Sequence, residues 1–131
     1  MKLVRPPELT DAAPYAYAAV SSPGARLIFT AGACPLDAAG GTVAPGDVAA
    51  QAEQVMENLR IALQAAGADL GDVLKTTVFV ASGERGDLVT AWEVVKRHFG
   101  DHDAPSTLLG VSTLGYPDQL VEVEAVAAVG E

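Results

Sequence analysis

Two stretches of this chain repeat apolar residues at helical spacing, and one short β-branched run lies between them. Val48, Ala52, Val55, Leu59, Ala62 and Ala66 fall in steps of four and three, a single stripe on a helix. Asp47 stands where such a helix opens and Gly67 where it closes. Leu88, Trp92, Val95 and Phe99 repeat the spacing and predict a second helix ending at Gly100. The segment "LKTTVFVAS" between them is short and rich in Val and Thr, hence a strand.

The flanks read as further strands. "AYAAVSS" and "ARLIFTAGA" lie on either side of the turn signal "PG" and predict a hairpin. "TLLGVSTL" and "QLVEVEAVAAV" predict two strands joined by the turn "GYPD". The order is β-β-α-β-α-β-β, an α+β plan with both helices on one face of a mixed sheet. The other face must meet water or another subunit. The last strand is apolar on both faces, with Val121, Val123 and Ala125 on one side and Val126 on the other. A water-facing sheet alternates more cleanly, so the pattern predicts a homo-oligomer that buries its sheet.

With 131 residues, the chain reads as one domain, residues 1–131. No apolar run is long enough for a membrane span, and the N-terminus does not read as a signal peptide. The single cysteine, Cys34, has no partner for an internal disulfide, which suits a cytoplasmic protein. Eight Lys and Arg against seventeen Asp and Glu give a net charge of −9. The cations are scattered, and none follows Arg97, so phosphate backbones would be repelled. Neither nucleic acid nor membrane is an expected partner.

Four pieces, "PYAYA", "IFTAGACPLD", "QAEQVMENLRIALQAAGADLGDVLKTTVFV" and "LVEVEAVA", span nearly the whole length. With them the chain resembles the RidA (YjgF-like) family of reactive-intermediate deaminases. The resemblance implies a chorismate-mutase-like fold and a homotrimer whose sheets form a central barrel. It also implies ligand clefts between neighbouring subunits and hydrolysis of small imines or enamines without metal or organic cofactor.

The same resemblance gives roles to particular residues. Glu122 and Glu124 interrupt the apolar last strand two positions apart, so both carboxylates belong on one face. Glu122 matches the family's cleft acid, which positions water and shuttles a proton. Glu124 is structural by default. Tyr15 matches the cleft tyrosine. Gly32, beside Ala33, matches a glycine that lets ligand approach the backbone, and a strand bulge would equally suit it. Backbone N–H groups near Thr107 and Leu108 would bind substrate.

One position departs from the pattern. The family's deaminases grip the substrate carboxylate with an arginine at the start of the penultimate strand, where this chain has Ser106. Serine has one hydroxyl donor where arginine has five N–H donors and a full charge. The expected ligand is neutral where the usual substrate is anionic, unless Tyr17, Arg85 or a histidine replaces the arginine. "HFGDHD" brings His98 and His102 to helical i,i+4 spacing, but Gly100 between them favours a solvated helix end over a zinc pair. Cys34 has no nearby cation to lower its pKa. Three functions follow in order: a RidA-like hydrolase with altered substrate preference, a metabolite-binding trimer without catalysis, and an endoribonuclease.

Overall fold

The computed structural model describes residues 1–130. Six strands and two long helices run in the order β1 (Lys2–Val4), β2 (Ala18–Val20), β3 (Arg26–Phe29), α1 (Val48–Ala65), β4 (Val73–Val80), α2 (Arg85–Phe99), β5 (Ser106–Gly110), β6 (Val121–Val129). A four-stranded mixed sheet has the order β3-β6-β4-β5, in which only the β4–β5 pair is parallel. That parallel pair is the one joined through α2. From β2 onward the order is the one read from sequence.

The first pairing is not. β2 does not form a hairpin with β3; it pairs antiparallel with the additional strand β1 in a separate two-stranded sheet. The turn itself is present, closed by Ala25 N–H donating to Ser22 C=O at 3.2 Å with Gly24 at φ 77°. It redirects the chain between two sheets.

Helix α1 starts as its sequence dictates, with the Asp47 carboxylate accepting from Ala50 N–H at 3.0 Å. It ends in a Schellman motif. Gly67, at φ 92°, donates to Gln64 C=O, and Ala68 donates to Leu63 C=O. The buried stripe is Ala52, Val55, Met56, Leu59 and Leu63. Ala62 and Ala66 lie exposed, because the stripe drifts around the helix and the larger Leu63 takes the core position. With Ala91, Val95 and Phe99 of α2, these side chains pack on Val78 and Val80 of β4 and on Val121, Val123, Ala125 and Ala127 of β6.

The opposite sheet face carries Leu27 and Phe29, Lys75, Thr77 and Phe79, Thr107 and Leu109, and Glu122, Glu124, Val126 and Ala128, as strand alternation and register require. No helix covers it. Phe29 is 72% exposed and Leu27 53%, an apolar surface of the kind that subunit interfaces bury. None of the helices is long and apolar enough to cross a membrane.

Candidate functional site

After β3 the chain continues beside β6, but with one residue too many. Thr30 N–H donates to Ala125 C=O, and Ala33 exchanges both backbone hydrogen bonds with Val123, at 2.7 and 3.1 Å. Three steps on one strand thus face two on the other, a bulge around Ala31 and Gly32. The Glu122 side chain fills the space Gly32 leaves. A Cβ on Gly32 would stand 2.1 Å from Glu122 Oε2. The first role of this glycine is to admit the carboxylate.

One oxygen of that carboxylate is fixed. Buried Gln119 donates its amide N–H to Glu122 Oε1 at 3.0 Å, and its own oxygen accepts from Tyr116 N–H at 3.0 Å. The Cys34 thiol reaches the same Oε1 at 3.3 Å and the Gly32 carbonyl at 3.4 Å. Its single proton is better spent on the carboxylate, the charged acceptor. Oε2 accepts no hydrogen bond from the described residues and is not sealed from solvent. Burial first, then the adjacent Glu122, pushes the Cys34 thiol up to about 11. Cys34 is therefore a donor at neutral pH, not a thiolate nucleophile.

Gly32, Ala33 and Cys34 also line a cavity of about 280 Å³ with Asn58, Leu59 and Tyr116. Asn58 supports its floor by donating to the Cys34 and Leu36 carbonyls, each at 2.9 Å.

A second group assembles elsewhere on the chain. Tyr15, Ser106, Thr107 and Leu108 line a groove of about 530 Å³ with Pro14 and Trp92. Tyr15 packs edge-on against both Tyr17 and Trp92. Its hydroxyl makes no hydrogen bond among the described residues, whereas the Tyr17 hydroxyl donates to Thr10 C=O at 2.6 Å. Ser106 is turned toward buried Thr76, 2.7 Å away, and donates to Ala104 C=O at 2.9 Å. Its one hydroxyl proton is already used. The candidate residues therefore fall into two separate groups on one chain: Glu122 with Gly32 and Ala33, and Tyr15 with Ser106, Thr107 and Leu108.

The three candidates for the missing arginine's place are engaged or distant. Tyr17 is bound to Thr10. Arg85 lines a different cavity, with Ser82, Leu88 and Ser112. His98 contacts Glu53 of α1 at 2.9 Å, and His102 contacts the Val73 carbonyl at 2.7 Å. The two histidines thus serve different partners, and the helix end is pinned by tertiary contacts instead of solvated. Among the described residues no three His, Cys, Asp or Glu converge as a metal site would require.

Lys75 is the cation that strand-by-strand reading passed over. Register places it on β4 beside the start of β5, and its ammonium donates to Thr107 Oγ1 at 2.6 Å. It lines a groove of about 460 Å³ with Tyr15, Tyr17, Ser106 and Thr107. A residue 32 positions before Thr107 becomes its neighbour only once the parallel pairing is known.

The family model for endoribonuclease L-PSP matches residues 7–129. The chain belongs to that family, the RidA/YjgF family. It is 37% identical over 104 residues to an Escherichia coli 2-iminobutanoate/2-iminopropanoate deaminase, covering 78% of this chain and 79% of that one. Its structure matches a Yersinia pestis protein of unknown function from the conserved Rid family at a TM-score of 0.89, with 27% identity and 98% of each chain covered. E. coli TdcF with bound serine matches at 0.69, with 30% identity over 99% of this chain and 100% of that one. The two helices packed on a mixed sheet are the fold of this family, the chorismate-mutase-like plan read from sequence.

Proposed function

We propose that the protein is a RidA-like hydrolase of small imines or enamines, working in clefts between the subunits of a homotrimer. The observation that carries this reading is the state of Glu122: one oxygen anchored by Gln119 and Cys34, the other open over a glycine. A carboxylate so held can orient water toward an iminium carbon through Oε2 and pass a proton to departing ammonia. The two groups become halves of one site when the Glu122 side of one subunit faces the Tyr15 side of the next. The uncovered apolar sheet face supplies a surface for that assembly. The E. coli deaminase relative supports the reaction class, and serine in the TdcF structure supports a pocket for a small metabolite.

Substrate preference is altered because no arginine fork stands at Ser106. The occupied Ser106 hydroxyl favours one second reading, a metabolite-binding trimer that keeps the cleft without turnover. An endoribonuclease reading has the family's description behind it but must contend with a net charge of −9. Ammonia release from a panel of imines generated in situ by an amino-acid oxidase, wild type against Glu122→Gln, tests the proposal. Turnover that Glu122→Gln leaves untouched refutes the acid–base role. Light scattering that shows a monomer at micromolar concentration refutes the shared cleft.

A further inference from the structure

Four of the eight Lys and Arg residues, Arg5, Arg60, Lys96 and Arg97, are each ion-paired to an Asp or Glu. Lys2, Arg26 and Arg85 are exposed to solvent. Lys75 fits neither group. It is partly buried, and its ammonium meets only neutral acceptors, Thr107 Oγ1 at 2.6 Å and the Thr76 carbonyl at 3.0 Å. An ammonium has three N–H donors, so one remains without an acceptor among the described residues. Burial pulls the Lys75 pKa below the ordinary lysine value, with Glu124 on the same sheet face opposing. A partly desolvated cation without a counter-ion is unfavourable, and an anion entering the groove would relieve it.

The groove beside Lys75, about 460 Å³, has room for a small molecule. Tyr15 and Tyr17 form one wall, Pro105, Ser106 and Thr107 another, and Val126 is part of the lining. The Tyr15 hydroxyl is unengaged among the described residues, so a polar group is available beside the cation.

We propose that Lys75 anchors an anion in this cleft, with Thr107 as its hydroxyl partner, so that the ligand is a short carboxylate-bearing carbonyl or imine compound. This deepens the proposed function, resting on its cleft but not on its catalysis. It also revises the expectation of a neutral ligand. The grip differs in kind from an arginine's, because a lysine is a single point charge without the planar fork that fixes a carboxylate at two atoms. Affinity for any one carboxylate should be lower and tolerance of its shape wider.

The internal competitor is Glu124. It lines a smaller cavity with Lys75, Thr77 and Phe29 on the uncovered sheet face, and in an assembled trimer it could serve as the lysine's counter-ion. The experiment must separate the two.

Pyruvate and its uncharged counterpart pyruvamide are the probes, followed by ligand-observed NMR on wild type, Lys75→Met, Lys75→Arg and Glu122→Gln, with assembly checked by light scattering. The expected result is that wild type binds pyruvate about tenfold more tightly than pyruvamide, the scale of one charge-assisted hydrogen bond. Lys75→Met should lose that preference while remaining assembled, and Lys75→Arg should keep it. Equal binding of pyruvate by wild type and Lys75→Met overturns the proposal, as does no pyruvate binding by wild type. A Lys75→Met protein that no longer assembles, with Glu124→Gln behaving alike, assigns the lysine to the interface and also overturns it. Pyruvate held through Lys75 in a protein that hydrolyses no imine leaves this inference standing and removes the hydrolase reading. Retained pyruvate binding by Glu122→Gln supports the separation of anchor from acid.

Discussion

Gly32 and Glu122 occupy a space that admits only one side chain. A Cβ at position 32 would lie 2.1 Å from Oε2, 2.6 Å from the carboxyl carbon and 2.8 Å from Cγ of Glu122. All three atoms belong to the outer part of a flexible side chain, so the collision resolves by swinging the carboxylate away and not by moving backbone. Gly32→Ala should therefore cost little stability, under about 1 kcal/mol, below the usual penalty for overpacking a rigid core. Any turnover that depends on Glu122 should fall by tenfold or more. Melting temperature and ammonia release, measured together, check the dissociation of the two effects. A variant that melts early and keeps its turnover would show that the glycine serves the bulge alone.

Cys34 reports on the same carboxylate. Its thiol is held protonated up to about 11 by burial and by the charge of Glu122. Removing that charge with Glu122→Gln should lower the thiol pKa and speed alkylation by iodoacetamide at pH 8 to 9, a range bracketing the unperturbed thiol near 8.5. The linkage sign is negative. The folded state holds the proton after the unfolded chain has released it, so stability declines as pH rises from the ordinary thiol range toward about 11. Cys34→Val should flatten that decline. Urea melts at pH 8, 9.5 and 11 measure it, and identical slopes in both proteins would exclude Cys34 as the source.

The sequence showed more of the fold than of the site, for identifiable reasons. Helices announce themselves locally: Asp47 and Gly67 bound α1 through contacts within a few residues of themselves. Strand partners are not local. Nothing in "AYAAVSS" says that β2 will pair with Lys2–Val4 and leave β3 to Val126–Val129. The site had the same difficulty. Glu122 and Tyr15 could be singled out by their pattern match, but the groups that govern them come from distant segments. Gln119 read as the first residue of a strand, Cys34 as an inert thiol, and Lys75 as one charge in a strand. The drift of the α1 stripe from Ala62 to Leu63 is a smaller case, where side-chain volume decided what spacing left ambiguous.

Asp103 ties three segments together. Its carboxylate meets Lys96 of α2 at 2.8 Å and Arg5 at 2.7 Å, and its carbonyl accepts from Ala16 N–H at 2.8 Å. Lys96, foremost, and Arg5 hold the Asp103 carboxyl below the usual aspartate range despite partial burial. A depressed carboxyl stabilises the fold above the unfolded aspartate pKa, near 3.9, and that contribution disappears as pH falls through the folded value. Asp103→Asn should cost about 1 kcal/mol at pH 7, the upper end for a solvent-accessible ion pair. The difference from wild type should vanish at pH 2. Because Ala16 adjoins Tyr15, the variant should also loosen the Tyr15 groove, visible as weaker protection of the Ala16 amide from hydrogen exchange.

Ser106→Arg places an arginine where the family resemblance expects one, at a position where the present side chain faces Thr76. Thr76 is fully buried, and losing its hydroxyl partner should cost about 1 kcal/mol of stability. The guanidinium must turn out into the groove near Thr107, beside Lys75. Wild type should hydrolyse 2-iminopropionate weakly, because Lys75 holds the carboxylate as a single point charge without the planar fork. The variant should gain about tenfold to a hundredfold in kcat/KM, the value of a charge-assisted pair of 1.5 to 3 kcal/mol. No gain would mean that repulsion from Lys75 prevents the fork from forming, and Ser106→Arg combined with Lys75→Met then decides whether it does.

Glu122 and Glu124 share a strand face but not surroundings, and their amide variants should separate accordingly. Glu122 stands opposite Phe79 across β6 and β4, with Oε1 bound by Gln119 and Cys34. Glu124 stands opposite Thr77, is exposed, and acts electrostatically on Lys75. The uncovered face on which both lie is the one proposed to be buried between subunits, so Glu124 is the acid better placed to accept from a neighbouring chain. Glu122→Gln should leave assembly intact and shift the melting temperature only slightly, since an amide oxygen can still accept from Gln119. Turnover of any imine substrate should nonetheless disappear, because an amide neither takes up nor returns a proton at neutral pH. Glu124→Gln should do the reverse, weakening assembly more than turnover. Light scattering across a dilution series, beside single-turnover ammonia release, resolves the two. Full turnover in Glu122→Gln would make this acid structural and assign the proton transfer to another group.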